Sequence, residues 1–241
     1  MAAFPFVLFL NGLAGSGALS GRSIGDIANA YPTYFLPASY VFGIWSLIYL
    51  GLAAYVVYQA WPPWHDGDAV ARIGPGWLAN AALNVAWLSA FSFERYLTAW
   101  LLMVALLANL IWIHERIGTG RRTLSLRDRA FIATPFNVYL AWISVALIAN
   151  TFQLVAVVGW RGFGIDGAVW AAGMMAVATG LALAMAARRS SWAFPLVFAW
   201  AFVGIASRHA DHGFVGWVAL GSAGVVLVVP VLMELRRLRS A

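Results

Sequence analysis

Aromatic and amide side chains recur at helical spacing in three apolar segments of the chain. In the stretch GWLANAALNVAWLSAFSF, Asn80, Asn84, Trp87 and Phe91 lie at positions i, i+4, i+7 and i+11. This spacing places the four side chains along one face of a helix. Rings offer flat apolar walls and amides offer hydrogen bonds, so such a face suits the binding of a planar aromatic molecule.

Two further segments carry related faces. The residues aligned by helical spacing are Phe42, Trp45, Tyr49 and Leu52 in one segment, and Tyr139, Trp142, Ala146, Asn150 and Gln153 in the other. Trp45, Trp87 and Trp142 lie inside their segments, whereas tryptophans that anchor a helix at the membrane surface lie near its ends. We therefore expect these three indoles to face one another around a shared cavity.

Each of these residues also has a plainer interpretation. An Asn in a membrane span commonly hydrogen-bonds to a neighbouring helix, a contact worth roughly 0.6–2 kcal/mol. Trp and Tyr near span ends commonly anchor a helix at the interface. The prediction of a cavity therefore depends on the joint pattern of the three faces and not on any single residue.

The composition indicates which elements position these faces. The chain has 241 residues, of which 63% are hydrophobic and 10% charged, whereas soluble domains carry about 25% charged residues. A span needs roughly 20 apolar residues. We predict an all-α, polytopic transmembrane bundle of about eight spans, at residues 3–18, 38–60, 75–93, 97–113, 130–158, 167–187, 191–207 and 214–235. Polar breaks separate these segments, including one at residues 62–68.

The distribution of arginine predicts the orientation. All 15 basic residues are Arg, and with eight spans eleven of them fall on the side of the two termini and four on the other side. The positive-inside rule then places both termini in the cytoplasm, in the cell (inner) membrane. The N-terminal stretch resembles a signal peptide but has no Arg before Arg22, so we interpret it as a retained first helix.

Several classes of site have no sequence signal. The acidic residues lie in loops or at segment ends, and there is no Cys, nucleophile–base pair, phosphate-binding glycine loop or zinc motif. His209 and His212 have a spacing suited to a metal, but no third ligand is evident. The net charge of +6 lies in short loops and the tail, so nucleic acid is not an expected partner. We predict a non-enzymatic protein that requires no cofactor and no metal.

Three ordered motifs resemble those of the TspO/MBR family of tryptophan-rich sensory or translocator proteins. The stretch PASYVFGIWSLIY, followed by NVAWLSAF and YLAWISVALIAN, supplies the matching residues. The resemblance implies a five-helix membrane bundle that binds porphyrin-type tetrapyrroles such as haem, and also sterols, in a pocket below the first loop. The ligand-binding residues that it implies are Pro37, Tyr40, Phe42, Trp45, Tyr49, Asn84, Trp87, Phe91, Tyr139, Trp142, Ala146 and Asn150.

The resemblance covers about the first 158 residues. We therefore predict a TspO-like unit at residues 1–158 and a C-terminal extension of about three spans at residues 159–241, similar to an extended branch of the family. Within the first motif, Tyr40 stands where the family has Trp, and the step from Phe42 to Trp45 is one residue shorter.

The preferred function is a membrane receptor or carrier, with a sensory or regulatory role, for a hydrophobic planar ligand. In this interpretation the three indoles stack on the ligand, while Asn84, Asn150 and Tyr139 orient its polar edge. The alternatives are a transporter of a small hydrophobic molecule, a porphyrin-modifying enzyme, and a structural partner of another membrane protein. The expected partners are membrane lipid and the small ligand. Ala residues on the third segment fit a helix–helix contact, either within one chain or in a homodimer.

Overall fold

The computed structural model describes residues 3–61, 68–189 and 191–240, and within these ranges it contains helices and no β-strand. The described α-helices are α1 (Ala3–Gly15), α2 (Ile24–Asn29), α3 (Ile44–Ala60), α4 (Asp68–Ile73), α5 (Gly76–Ser92), α6 (Tyr96–Ile117), α7 (Leu126–Asp128), α8 (Thr134–Val157), α9 (Gly167–Arg189), α10 (Ala193–Arg208) and α11 (Gly213–Ser240). A 3₁₀ turn at Ser39–Gly43 precedes α3, and a π-helical turn at Arg129–Ala133 precedes α8.

Each of the eight predicted apolar segments coincides with one of the longer helices, namely α1, α3, α5, α6, α8, α9, α10 and α11. The three short helices α2, α4 and α7 lie in connections between them. The predicted polar break at residues 62–68 lies outside the described residues except for Asp68. The structure thus confirms the prediction of an all-α, polytopic bundle.

Five stretches are long and apolar enough to cross a membrane, judged by length and composition. These are Ser39–Ala60, Tyr96–Ile117, Leu126–Val157, Gly167–Arg189 and Gly213–Arg236. The remaining three are shorter than the roughly 20 residues of a usual span, because α1 has 13 residues, α5 has 17 and α10 has 16. The predicted count of eight spans therefore depends on these three short helices.

Helix α8 is the central element of the bundle. It packs against α3 and α6 on the N-terminal side of the sequence, and also against α10. Tyr139, Trp142 and Ile143 are each at most 2% exposed. A helix that is apolar on most sides is expected in such a buried position.

The other helices form two groups around α8. In the first group α5 packs against α1 and α6, and α1 also contacts α3. In the second group α9, α10 and α11 pack against one another. The contact between α8 and α10 joins the part before residue 158 to the part after it.

The connection from α1 to the 3₁₀ turn, residues 16–38, forms a loop over one end of the first group. We call it the capping loop. Its helix α2 begins with a capping box, because the Ser23 hydroxyl accepts a hydrogen bond from the Asp26 N–H and the Asp26 carboxylate accepts one from the Ser23 N–H, both at 3.1 Å. The hydrogen bonds from Ser23 hold the pKa of Asp26 below its usual value. The loop thus has defined local structure.

Candidate functional site

The three indoles predicted to converge do so. The ring centroid of Trp45 lies 5.8 Å from that of Trp87, with the planes inclined by 25°, and 6.4 Å from that of Trp142, with the planes inclined by 86°. Trp87 is 4% exposed and Trp142 is 2% exposed. The indoles of Trp87 and Trp142 therefore lie in the interior of the bundle, and the half-buried Trp45 faces both of them.

Four more rings extend this cluster. Tyr49 stacks on Trp45 at 5.5 Å and Phe91 stacks on Trp87 at 5.6 Å, measured between ring centroids. Phe42 presents its edge to Trp142 at 6.1 Å, and Tyr139 meets Trp45 edge to face at 5.8 Å. Offset-stacked and edge-to-face contacts are the favourable arrangements of aromatic pairs. We call these seven residues the aromatic cluster.

A 3₁₀ turn accounts for the alignment of Phe42 with Trp45. These residues are three positions apart, and Phe42 lies in the turn at Ser39–Gly43 while Trp45 lies at the start of α3. Because a 3₁₀ helix has three residues per turn, side chains three apart lie nearly above one another. The shorter spacing noted in the sequence is thus compatible with both rings meeting Trp142.

Part of the aromatic cluster lines a small cavity below the capping loop, which we call the aromatic cavity. Its wall consists of Ile24, Ala28, Tyr31, Thr33, Leu36, Pro37, Phe42, Trp45, Trp87, Phe91, Trp142, Val145, Ala146, Ala149, Asn150 and Gln153. The cavity volume is ≈ 40 Å³, which is room for a few water molecules. Pockets for drug-sized ligands are about 300–1,000 Å³. The rings themselves fill most of the space between the helices.

A second cavity of ≈ 240 Å³ adjoins the first, since both are lined by Ile24, Phe42, Trp45 and Trp87. Its wall also includes Asn11 and Tyr49. Trp45 is only half-buried. A displacement of the Trp45 side chain would therefore open the two cavities to each other.

A polar network that includes Tyr49 and Tyr139 of the aromatic cluster connects four helices. Asn11 of α1 donates to the Asn84 carbonyl oxygen at 3.1 Å, and the Asn84 amide donates to the Tyr139 hydroxyl at 2.8 Å. Tyr49 of α3 donates to Asn11. Asn84 thus hydrogen-bonds to neighbouring helices, as an Asn in a membrane span commonly does. Asn11 was missed by the motif analysis, although it is the sole polar side chain between Ala3 and Gly15.

Two residues of the cavity wall each bury a hydrogen-bond donor. The indole N–H groups of Trp87 and Trp142 are buried without a hydrogen-bond partner among the described residues. Asn150 donates to the Ala146 carbonyl of its own helix at 3.1 Å, which leaves its side-chain oxygen without a described partner. A buried polar group without a partner costs about 1–3 kcal/mol. A ligand that carries hydrogen-bond acceptors would satisfy both indoles.

The structure places the predicted site residues in three positions. Those that line the small cavity are Pro37, Phe42, Trp45, Trp87, Phe91, Trp142, Ala146 and Asn150. Tyr49, Asn84 and Tyr139 lie beside it in the polar network. Tyr40 lies elsewhere, because its ring packs on Trp200 of α10 at 5.3 Å and its hydroxyl is 3.3 Å from that of Ser207.

Helix α10 holds the region where the capping loop joins the 3₁₀ turn. The Ala38 N–H donates to the Gly204 carbonyl at 3.0 Å, and the Trp200 indole donates to the Val41 carbonyl at 3.0 Å. Trp200 and Gly204 belong to none of the sequence motifs, since no local spacing relates them to residues about 160 positions earlier. The C-terminal helices are therefore part of the support of the site.

Three more contacts hold the capping loop at residues before its junction with the 3₁₀ turn. Arg208 donates to the Asn29 side-chain oxygen at 2.6 Å, and Gln153 of α8 donates to the Ile27 carbonyl at 3.0 Å. Arg22 forms an ion pair of 2.6 Å with Glu94, which follows α5 and has a left-handed backbone with φ 56°. The loop is thus attached to three different helices or their ends.

The comparisons with known proteins agree with this architecture. A family model described as TSPO-like protein matches residues 1–232, which includes the C-terminal helices. Comparisons with curated proteins and with solved structures found no match. Because the family match covers almost the whole chain, this protein belongs to the TSPO-like family of membrane proteins.

Proposed function

We propose that this protein is a membrane receptor or carrier for a hydrophobic planar ligand of the porphyrin type. In this proposal the ligand lies among the indoles of Trp45, Trp87 and Trp142, below the capping loop. The observation that carries the proposal is that Trp87 and Trp142, which both line this cavity, bury indole N–H groups that have no acceptor among the described residues. The carboxylates or carbonyls at the edge of a planar ligand supply such acceptors.

Binding requires the site to open. The cavity of ≈ 40 Å³ is much smaller than a tetrapyrrole, so the structure corresponds to a closed state. Displacement of the half-buried Trp45 joins this space to the adjoining ≈ 240 Å³, and movement of the capping loop provides an entrance. Breaking the exposed ion pair between Arg22 and Glu94 costs little free energy, because such pairs contribute about 0–1 kcal/mol to stability.

We favour binding over catalysis because no described acid or histidine lines the aromatic cavity. The sensory or regulatory role, like the placement of both termini in the cytoplasm of the inner membrane, is part of this proposal. A carrier and a receptor differ in whether the ligand crosses the membrane. Ligand-dependent uptake into proteoliposomes supports the former and binding without uptake the latter.

Titration of the purified protein with protoporphyrin, haem and sterols, followed by tryptophan quenching, tests the proposal. Trp142→Ala is expected to weaken binding at least tenfold. Trp142→Phe retains a ring but loses the N–H, and is expected to weaken binding about three- to tenfold, since a hydrogen bond contributes about 0.5–1.5 kcal/mol.

Trp217→Phe is the matched control, because Trp217 of α11 is 74% exposed and lies outside both cavities. It is expected to bind as wild type does. Equal affinity of all three variants and the wild type for every ligand tested would overturn the assignment of the pocket.

A further inference from the structure

A large cavity lies at the other end of the bundle from the capping loop, between the α6–α7 connection and the α9–α10 connection. Its volume is ≈ 620 Å³, and its wall includes Thr119, Arg122, Arg129, Arg189 and Ser191. We call it the arginine pocket. An adjoining cavity of ≈ 310 Å³ shares Arg129 and Ser191 in its wall.

Tight backbone packing builds this pocket. Gly120 has φ +73°, and a Cβ atom added to it would lie 2.4 Å from the Arg189 carbonyl oxygen. A side chain at this position would thus push the two connections apart. Their close approach brings residues of the α6–α7 connection beside Arg189 and Ser191.

The arginine pocket has an excess of positive charge. Arg121 and Arg189, which both line it, share the carboxylate of Glu115. Arg122 and Arg129 form no ion pair with a described residue. No described acid lines this pocket, although Glu234 lines the adjoining cavity. Guanidinium groups bind phosphate oxygens through two parallel hydrogen bonds, so this charge suits a phosphate group.

Residues of the wall also contain buried polar atoms that have no partner in the described part of the chain. Ser191 is 3% exposed and Thr119 is 8% exposed, and neither hydroxyl has a hydrogen-bond partner among the described residues. The Nη1 atom of the Arg189 guanidinium is also buried and has no hydrogen-bond partner among the described residues. Buried polar atoms usually have a partner. Here three unpartnered donors belong to residues that line one positively charged cavity. An anion with several oxygens that enters among these residues would supply acceptors.

We infer that the arginine pocket is a binding site for a phosphate group, carried either by the headgroup of an anionic phospholipid or by free phosphate. Basic pockets between membrane helices bind anionic headgroups elsewhere. Leu196 lines the pocket and is 58% exposed, and Val138 of α8 also lines it. These apolar residues offer a surface for an acyl chain beside the charged cavity. The site is separate from the aromatic cavity and does not depend on the function proposed for it.

The inference is tested on the full chain in a zwitterionic detergent after removal of bound lipid. One arm measures the thermal stabilisation by short-chain phosphatidylglycerol and the other measures it with inorganic phosphate. Short-chain phosphatidylcholine controls for the apolar part of the lipid. Stabilisation by phosphatidylglycerol that phosphate does not compete away supports a headgroup, and stabilisation by phosphate that competes with the lipid supports free phosphate.

Variants connect the effect to the pocket. Arg129→Gln is expected to weaken binding at least tenfold and Ser191→Ala about threefold, whereas Arg129→Lys keeps part of the affinity because it keeps the charge. Arg161→Gln, at an exposed residue of the α8–α9 connection, is the control and is expected to bind as wild type does. Absence of stabilisation by either anion, or equal affinity of Arg129→Gln and wild type, would overturn the inference.

Discussion

Gly204 of α10 lies so close to Val41 of the 3₁₀ turn that a Cβ atom on Gly204 would be 2.0 Å from the Val41 Cγ2 atom. The same Cβ atom would lie 3.2 Å from that of Pro37, which lines the aromatic cavity. Close approach of the two backbones also permits the hydrogen bond from Ala38 to the Gly204 carbonyl. A residue of the C-terminal group therefore determines where the wall of the proposed ligand site lies.

Replacing Gly204 tests this contact. Gly204→Ala is expected to lower the free energy of unfolding by about 1–3 kcal/mol, because overpacking in a filled interior costs about this much. Thermal unfolding in detergent measures it. Gly221→Ala on α11 is the control, since a Cβ atom there meets nothing within 4 Å. It is expected to be neutral or to stabilise by up to about 1 kcal/mol, the helix-propensity difference between Gly and Ala. Equal melting temperatures for the two variants contradict the prediction.

The two asparagines near the rings are expected to behave differently. Asn84→Ala removes hydrogen bonds to Asn11 and Tyr139, and Tyr139 is fully buried. We expect it to lower the free energy of unfolding by about 2–4 kcal/mol, because it leaves buried polar groups unpaired. The decrease should appear in thermal or denaturant unfolding without any ligand.

Asn150→Ala serves as the comparison within the same cluster. Among the described residues its amide hydrogen-bonds only to its own helix, so we expect less than about 1 kcal/mol of lost stability. Asn150 lines the cavity, and we expect a several-fold loss of porphyrin affinity in the quenching titration. The distinction between a structural and a ligand-facing amide is wrong if Asn150→Ala destabilises the protein as much as Asn84→Ala.

Acid is expected to loosen the attachment of the capping loop to α10. Burial and the neighbouring Arg208 lower the pKa of His209, which packs on Tyr34 together with His212, below its usual value of 6.5. The folded chain then binds fewer protons at this site than the unfolded chain. The contribution of His209 to stability is complete above pH 6.5 and decreases as the pH falls below 6.5 toward the folded pKa.

The melting temperature measured between pH 7.5 and 5.5 checks this prediction. The wild type is expected to lose stability over this range, and His209→Gln should show a smaller loss because the titrating group is gone. His212→Gln changes a residue three positions further along the chain that also contacts Tyr34, and it is expected to keep the trend of the wild type. An unchanged pH dependence in His209→Gln would assign the effect to other groups.

Local periodicity predicts much of this architecture. Each apolar segment forms a helix, and the spacing of Trp45, Trp87 and Trp142 indicates the faces that meet. These features depend on properties that repeat every turn, namely hydrophobicity and the direction of side chains. The sequence also contains an indication of the role of Asn11, since an isolated amide in an apolar membrane helix needs a hydrogen-bond partner.

Other features depend on contacts between distant parts of the chain. The hydrogen bonds of Trp200 and Gly204 join positions about 160 residues apart, and no sequence period records them. Phe42 and Trp45 share a face because the 3₁₀ turn has three residues per turn, and the sequence does not indicate where this turn replaces α-helix. How tightly the rings fill the space between the helices depends on rotamers and helix separation. The sequence therefore predicts the lining of the cavity better than its volume.

The central position of α8 has a consequence for how this protein can change over evolution. The helix carries Tyr139, Trp142 and Asn150 and also contacts α3, α6 and α10. A substitution that reshapes its aromatic side alters the surface available to α10. Among relatives, changes in ligand preference should therefore appear as paired substitutions, one on α8 and one on α10.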